Sequence, residues 1–204
     1  MNNITAVVFD LGRVLVTIDF DAFPNALGLT SPESRAPYRD ETALAAHLFE
    51  TGKLSTREFL DRLYLIFGKR FTREHLLFAW NEIIGRDIPG MVELIGRVET
   101  RCRTAMLSNT SLAHFQKAER DCATVRKITQ RFLSYEIGTA KPSSAIYRHV
   151  IDALNCAPGE ILFIDDLKEN IDAAIAAGMQ GVIFTDVRAL HDELLDRHIL
   201  LPPE

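Results

Sequence analysis

Cysteine is scarce in this 204-residue chain. Cys102, Cys122 and Cys156 are an odd count at long spacings, with no CxxC pair. That excludes a disulfide framework and a cysteine zinc site, and it fits a reducing, cytoplasmic setting. Long apolar runs are also missing: none approaches the ~20 residues that span a bilayer. The run Ile4–Phe9 has no basic segment before it and is far shorter than a secretory core, so nothing targets the chain to a membrane. Basic tracts are absent too. Lys and Arg are scattered through a chain of net charge -5, which leaves no stripe to neutralise a row of phosphates and argues against nucleic acid as a partner. The six histidines show no ligand spacing, and His191 and His198 read as positions on an exposed helix. There is no internal repeat or low-complexity segment.

What remains is the balance of an ordinary globular protein, 47% hydrophobic and 25% charged, long enough for one domain of average size with a smaller insert. Ile4–Phe9 is continuously apolar with Val-Val at its centre, the pattern of a strand buried on both faces inside a parallel sheet. Similar runs recur at Thr104–Leu107, Ile161–Ile164 and Gly181–Phe184, separated by helical patterns long enough for crossovers. The fold class is therefore α/β: a three-layer, Rossmann-like core with a parallel sheet and helices on both faces.

Two helices begin beside chemically suggestive residues. The one after Lys141-Pro142 carries Ile146, Tyr147, Val150, Ile151 and Leu154 on one stripe, with Pro142 placed to fill its first position. The one after Asp165-Asp166 carries Ile171, Ala174 and Ile175 and stops at Gly178. Between Asp21 and about Pro89 strand-like runs vanish and helices follow one another. Ser55-Thr-Arg-Glu58 is a capping box for a helix reaching Gly68, and Thr72–Gly85 reads as another, with Leu77, Phe78 and Trp80 as packing residues. Residues 20–88 thus read as a helical insert in a core made of 1–19 and 89–204. The tail after Asp186 reads as an amphipathic helix ending at Pro202-Pro203.

Four polar signals stand out: Asp10, Ser108-Asn109-Thr110 and Asp165-Asp166 after apolar runs, and Lys141-Pro142 before a helical pattern. Taken singly, Ser-Asn-Thr is an ordinary loop or N-cap and Lys-Pro is commonplace. Adjacent aspartates at the end of a buried strand are harder to dismiss, because like charges repel unless a cation or a helix N-terminus holds them.

In this order and spanning nearly the whole chain, the four signals resemble the motifs of the haloacid dehalogenase superfamily, in its phosphohydrolase branch with a helical cap after the first strand. The resemblance implies that Asp10 attacks phosphorus to give an aspartyl phosphate, which water then hydrolyses. It implies a Mg²⁺ ion held by Asp10, the Gly12 carbonyl and Asp166, with Asp165 reaching the metal through water or orienting its surroundings. Ser108, the Asn109 N–H and Lys141 would bind the phosphate of a small phosphorylated metabolite. Asn170 could orient one of the paired aspartates.

Most phosphatases of that superfamily have a second Asp where this chain has Gly12. Losing that acid/base would cost ~10²- to 10⁴-fold in rate. Asp19 or a metal-linked water could take the proton, or the substrate could have an acidic leaving hydroxyl, as a sugar 1-phosphate does. Phe-Asp-Leu-Gly followed by Val-Leu-Val-Thr-Ile-Asp-Phe resembles the glucose-1-phosphatase-like subgroup, which has Gly here. Arg13 has a side chain long enough to reach the site mouth or to lie in solvent, and the solvent reading is favoured. The alternatives are a dehalogenase, a phosphoacceptor receiver domain, disfavoured because its acidic pair precedes the lysine, and a phosphate-binding or regulatory protein that has lost its chemistry. Oligomeric state is not readable.

Overall fold

The computed structural model describes residues 4–201. Among the described residues there are seven strands: β1 Ala6–Phe9, β2 Val16–Ile18, β3 Ile84–Asp87, β4 Arg103–Ser108, β5 Gln130–Leu133, β6 Ile161–Asp165 and β7 Gln180–Ile183. The α-helices are α1 Ala22–Ala26, α2 Pro32–Arg35, α3 Arg39–Glu50, α4 Thr56–Ile66, α5 Arg73–Asn81, α6 Met91–Glu99, α7 Leu112–Asp121, α8 Ala123–Lys127, α9 Ser134–Ile137, α10 Ser144–Leu154, α11 Lys168–Ala176 and α12 Val187–Asp196.

Five strands form one sheet in the order β5-β4-β1-β6-β7, and every pairing is parallel. The most apolar strand, β1, therefore lies at the centre, as a segment buried on both faces must. Its alternating side chains feed opposite layers. Val7 and Phe9 join Met106, Leu162 and Ile164 against α6, α7 and α12. Ala6 and Val8 join Ala105, Leu107 and Phe163 against α10 and α11. This is the three-layer α/β/α arrangement.

A third apolar cluster belongs to the helices between β2 and β3. Phe49 of α3 stacks on Phe59 of α4 with centroids 4.4 Å apart, and Phe59 meets the edge of Trp80 of α5 at 4.9 Å. Seven aromatic rings of these helices and their connections touch one another in this way, which lets a small helical unit bury enough area to hold its shape. The chain enters and leaves this unit through an antiparallel ribbon, β2 with β3.

Several sequence expectations need correction. The helix opened by Thr72 ends at Asn81, and Gly85 lies in β3. A Cβ there would meet Thr17 Oγ1 at 2.1 Å, so the glycine permits β2 to approach β3 rather than capping a helix. Strand structure therefore persists up to Asp87. Pro142 precedes its helix: Ser143 is the N-cap of α10, accepting from the Ala145 N–H at 3.4 Å, and the Lys141–Pro142 bond is cis. The last helix stops at Asp196, leaving His198 beyond it in a left-handed turn, φ 58°; Pro202-Pro203 lie outside the described residues. Phe78 is exposed, while Trp80 is packed. By contrast the Ser55–Glu58 capping box forms with both reciprocal bonds, and Gly178 takes its left-handed turn at φ 93°. Among the described residues, no helix is long and apolar enough to cross a membrane.

Candidate active site

Strands β1, β4 and β6 end at the same edge of the sheet, and each delivers a polar residue there. Asp10 follows β1, its N–H bound to Ile164 O at 2.8 Å. Ser108 ends β4 and Asp165 ends β6. In an open α/β sheet the crevice outside the carboxyl ends of the strands is where ligands bind.

Lys141 ties this edge together. Its Nζ donates to Asp10 Oδ1 and to Asp165 Oδ2, both at 2.6 Å, and to Leu107 O at 3.2 Å. The lysine's backbone is gripped in turn by one side chain: Asn109 accepts from Lys141 N–H at 2.8 Å and donates to Lys141 O at 2.9 Å. Asn109 thus has a positioning role beyond the backbone N–H expected of it. Burial opposes the charged ammonium of Lys141, but Asp10 and Asp165 outweigh it and raise its pKa.

The two adjacent aspartates do different things. Asp165 is fully buried, and its oxygens accept from Lys141, from Leu167 N–H at 2.9 Å and from Asn170 Nδ2 at 3.0 and 3.1 Å. Asn170 is held from behind, its carbonyl accepting from the Tyr147 hydroxyl at 2.9 Å. Asp166 faces a cavity instead, together with Asp10 and Gly12. One oxygen from each of Asp10, Asp165 and Asp166 lies within 4.8 Å of the others.

Arg13 stays half exposed to solvent and also reaches the site mouth. Held at φ 60°, it lies over the Phe20 ring at 5.4 Å and brings Nη1 to 3.6 Å from Asp166 Oδ2, at the cavity mouth. Asp19 departs from its expected role: it is exposed, does not line the cavity, and accepts from the Asp21 N–H at 2.9 Å as a turn cap.

Three carboxylates against Lys141 and Arg13 leave the edge one positive charge short. The titration of the acids reflects this. Burial, reinforced by Asp165 and only partly offset by Lys141, lifts Asp10 to about 6. Burial and the charge of Asp165 also raise Asp166. An all-oxygen donor set that lacks a counter-charge suits a hard divalent cation.

The cavity has a volume of about 760 Å³ and is roofed by the helical unit. Phe23, Tyr38, Phe67 and Trp80 give it an aromatic side, and one face of α3, running through Thr42, Ala46 and Glu50, gives it a polar edge. Sequence reasoning passed over that face, because glutamate and threonine on an amphipathic helix look like solvated positions.

Sequence comparison places these residues in a family context. The haloacid dehalogenase-like hydrolase model matches residues 4–178. A D-ribitol-5-phosphate phosphatase of Bacteroides thetaiotaomicron is 30% identical over 187 residues, covering 85% of this chain and 88% of the relative. A phosphatase of Mycobacterium tuberculosis is 29% identical, covering 89% and 87%. Among solved structures, a haloacid dehalogenase family enzyme of B. thetaiotaomicron in complex with magnesium and inorganic phosphate superposes with a TM-score of 0.79 at 24% identity, over 91% of this chain and 96% of that one.

Proposed function

Because this chain belongs to the haloacid dehalogenase-like hydrolases, we propose that it is a Mg²⁺-dependent phosphoric monoester hydrolase acting on a small phosphorylated metabolite through an aspartyl-phosphate intermediate. The observation that carries this reading is Lys141 Nζ, 2.6 Å from both Asp10 and Asp165, with Asp166 beside them. Asp10 is the nucleophile. Lys141 fixes the orientation of its carboxylate and lends positive charge to the phosphoryl oxygens, as do the Ser108 hydroxyl and the Asn109 N–H. Asp10, Asp166 and the Gly12 carbonyl would hold Mg²⁺, and Asp165 keeps Lys141 in place. When bound, the cation supplies Lewis-acid polarisation of the phosphoryl oxygens and neutralises the approach of one anion to another.

In the same reading residues 20–88 are a cap over a core of 1–19 and 89–204, excluding water from the reacting centre. A cytoplasmic setting fits Cys102, Cys122 and Cys156, which are all free thiols. Dehalogenation is a weaker reading, since it gives no reason for three carboxylates to share two cations. A phosphate-binding protein without chemistry leaves the buried Lys141–Asp10 pair without a purpose.

The cavity volume suits a sugar or polyol phosphate, with glucose 1-phosphate and ribitol 5-phosphate the first esters to examine, and its aromatic side also accommodates an aryl ester. The test is phosphate release from these three and glucose 6-phosphate, with Mg²⁺ or with chelator. Turnover that requires Mg²⁺ supports the proposal. Turnover undiminished by chelator, or none on any ester alongside halide release from a 2-haloacid, overturns it.

A further inference from the structure

Four carboxylates line the cavity: Asp10, Asp21, Glu50 and Asp166. Three of them face a counter-charge. Asp10 has Lys141 at 2.6 Å, Asp166 has Arg13 at 3.6 Å and Asp21 has Arg35 at 2.5 Å. Glu50 has none, and among the described residues nothing but burial acts on its carboxyl. On its own helix the charged or titratable groups that share the cavity wall are Arg39 and His47. Arg39 is eleven residues back, about 16 Å along the helix axis, and His47 makes no hydrogen bond to the carboxylate. Across the cavity, His114 is engaged with the Trp80 carbonyl at 2.8 Å.

The position of Glu50 is fixed from the core side. It is the last residue of α3, and its carbonyl accepts from Ser134 Oγ at 2.5 Å. The same Ser134 hydroxyl oxygen accepts the Thr110 N–H at 2.9 Å, so one hydroxyl joins the end of α3 to the loop that begins at Ser108. Gly52, two residues on, is left-handed at φ 67°, and a Cβ there would lie 2.2 Å from Tyr135 O, which shows how tightly this turn is pressed against α9. The helix then runs away from the sheet edge along the cavity, reaching Thr42 two turns back; its Oγ1 is buried without a partner. Glu50 is therefore the residue of this polar edge closest to the phosphate loop, and Thr42 faces the distal end of whatever binds.

Gly12 provides no acid, Asp19 faces solvent, and the aspartates at the sheet edge are committed to Lys141, Arg13 and the cation site. We infer that Glu50 is the proton donor to the leaving group, an assignment that rests on the phosphatase reading above. In the first step Asp10 attacks phosphorus, the P–O bond to the leaving group breaks, and its electron pair takes the proton of neutral Glu50, releasing an alcohol. In the second, the Glu50 carboxylate removes a proton from the water that attacks the aspartyl phosphate, and the Asp10–phosphorus bond breaks with its electron pair returning to Asp10. Glu50 ends protonated, and phosphate leaves. Burial alone lifts its pKa to about 7, which keeps a large acid fraction at neutral pH.

The test compares kcat/KM for an alkyl phosphate, which needs protonation of its leaving group, with that for 4-nitrophenyl phosphate, which does not. Wild type, Glu50→Gln and Glu50→Asp are assayed with saturating Mg²⁺ between pH 5.5 and 8.5, a range chosen to bracket roughly one and a half units either side of the Glu50 pKa. The expected result is a loss on the order of 10²-fold or more for Glu50→Gln on the alkyl ester, against less than about tenfold on the nitrophenyl ester. Glu50→Asp should recover part of the alkyl activity, and the wild-type alkyl rate should fall as pH rises through 7. A loss that is the same for both esters, as a folding or packing defect would give, overturns the inference, and so does an unchanged alkyl rate. Failure of the wild type to hydrolyse either ester overturns the phosphatase reading itself.

Discussion

His114 lies flat against Trp80, ring centroids 4.6 Å apart and planes 7° from parallel, and its Nε2 donates to the Trp80 carbonyl at 2.8 Å. The contact joins α7, packed on the sheet, to α5 in the helical unit. Burial drives the His114 pKa from 6.5 down to about 4, overcoming the hydrogen bond that favours the proton. A depressed pKa makes the group's contribution full above the unfolded value and lost as pH falls through the folded one. The protein should therefore lose about 3 kcal/mol between pH 6.5 and pH 4 from this residue alone. Urea unfolding followed by the fluorescence of Trp80, the one tryptophan in the chain, measures it. His114→Gln should flatten the dependence over that window, and an unchanged slope would mean the imidazole does not control it.

Lys141 is the one cation between Asp10 and Asp165, and it is itself buried. Lys141→Met leaves two carboxylates facing each other without compensation, which should cost about 3–5 kcal/mol at neutral pH. The deficit should shrink in acid, where Asp10, whose pKa burial raises, becomes neutral. A thermal unfolding series against pH checks both statements; a destabilisation that does not vary with pH would point to lost packing.

Gly12 has ordinary backbone, and a Cβ there would meet Ile18 Cγ1 at 3.1 Å and Cδ1 at 3.6 Å, a contact the isoleucine can relieve by a small shift. Gly12→Asp should fold, keep Mg²⁺ binding, and raise turnover of alkyl phosphates relative to the aryl ester by restoring a second acid. Titration calorimetry with Mg²⁺ and the alkyl-to-aryl rate ratio test it. No gain on any alkyl phosphate counts against this account of the position.

These predictions rest on residues that were unequally visible in the sequence. Asp10, Ser108 and Asp166 could be read because each ends or follows an apolar run, Lys141 because it precedes a helical stripe, and β1, β4 and β6 are apolar enough to announce burial on both faces. The edge strand β5, Gln-Arg-Phe-Leu, and the ribbon strand β3, Ile-Gly-Arg-Asp, are short and mixed because each is covered only in part, so periodicity does not reveal them. Which way Arg13 leans from its exposed position depends on a left-handed backbone at φ 60° that its residue type does not suggest. Glu50 and Thr42 carry no local signal at all. What makes them notable is the absence of a partner in a cavity, which only the assembled chain defines.

The central claim is that Asp10 takes the phosphoryl group. The direct measurement is Mg²⁺-dependent phosphate release by wild type and Asp10→Asn, with acid-quenched peptide mapping of the wild type during turnover. The account predicts a phosphoryl group on the peptide that carries Asp10 and a loss on the order of 10³-fold or more in the variant. Activity within about tenfold of wild type in Asp10→Asn would contradict it.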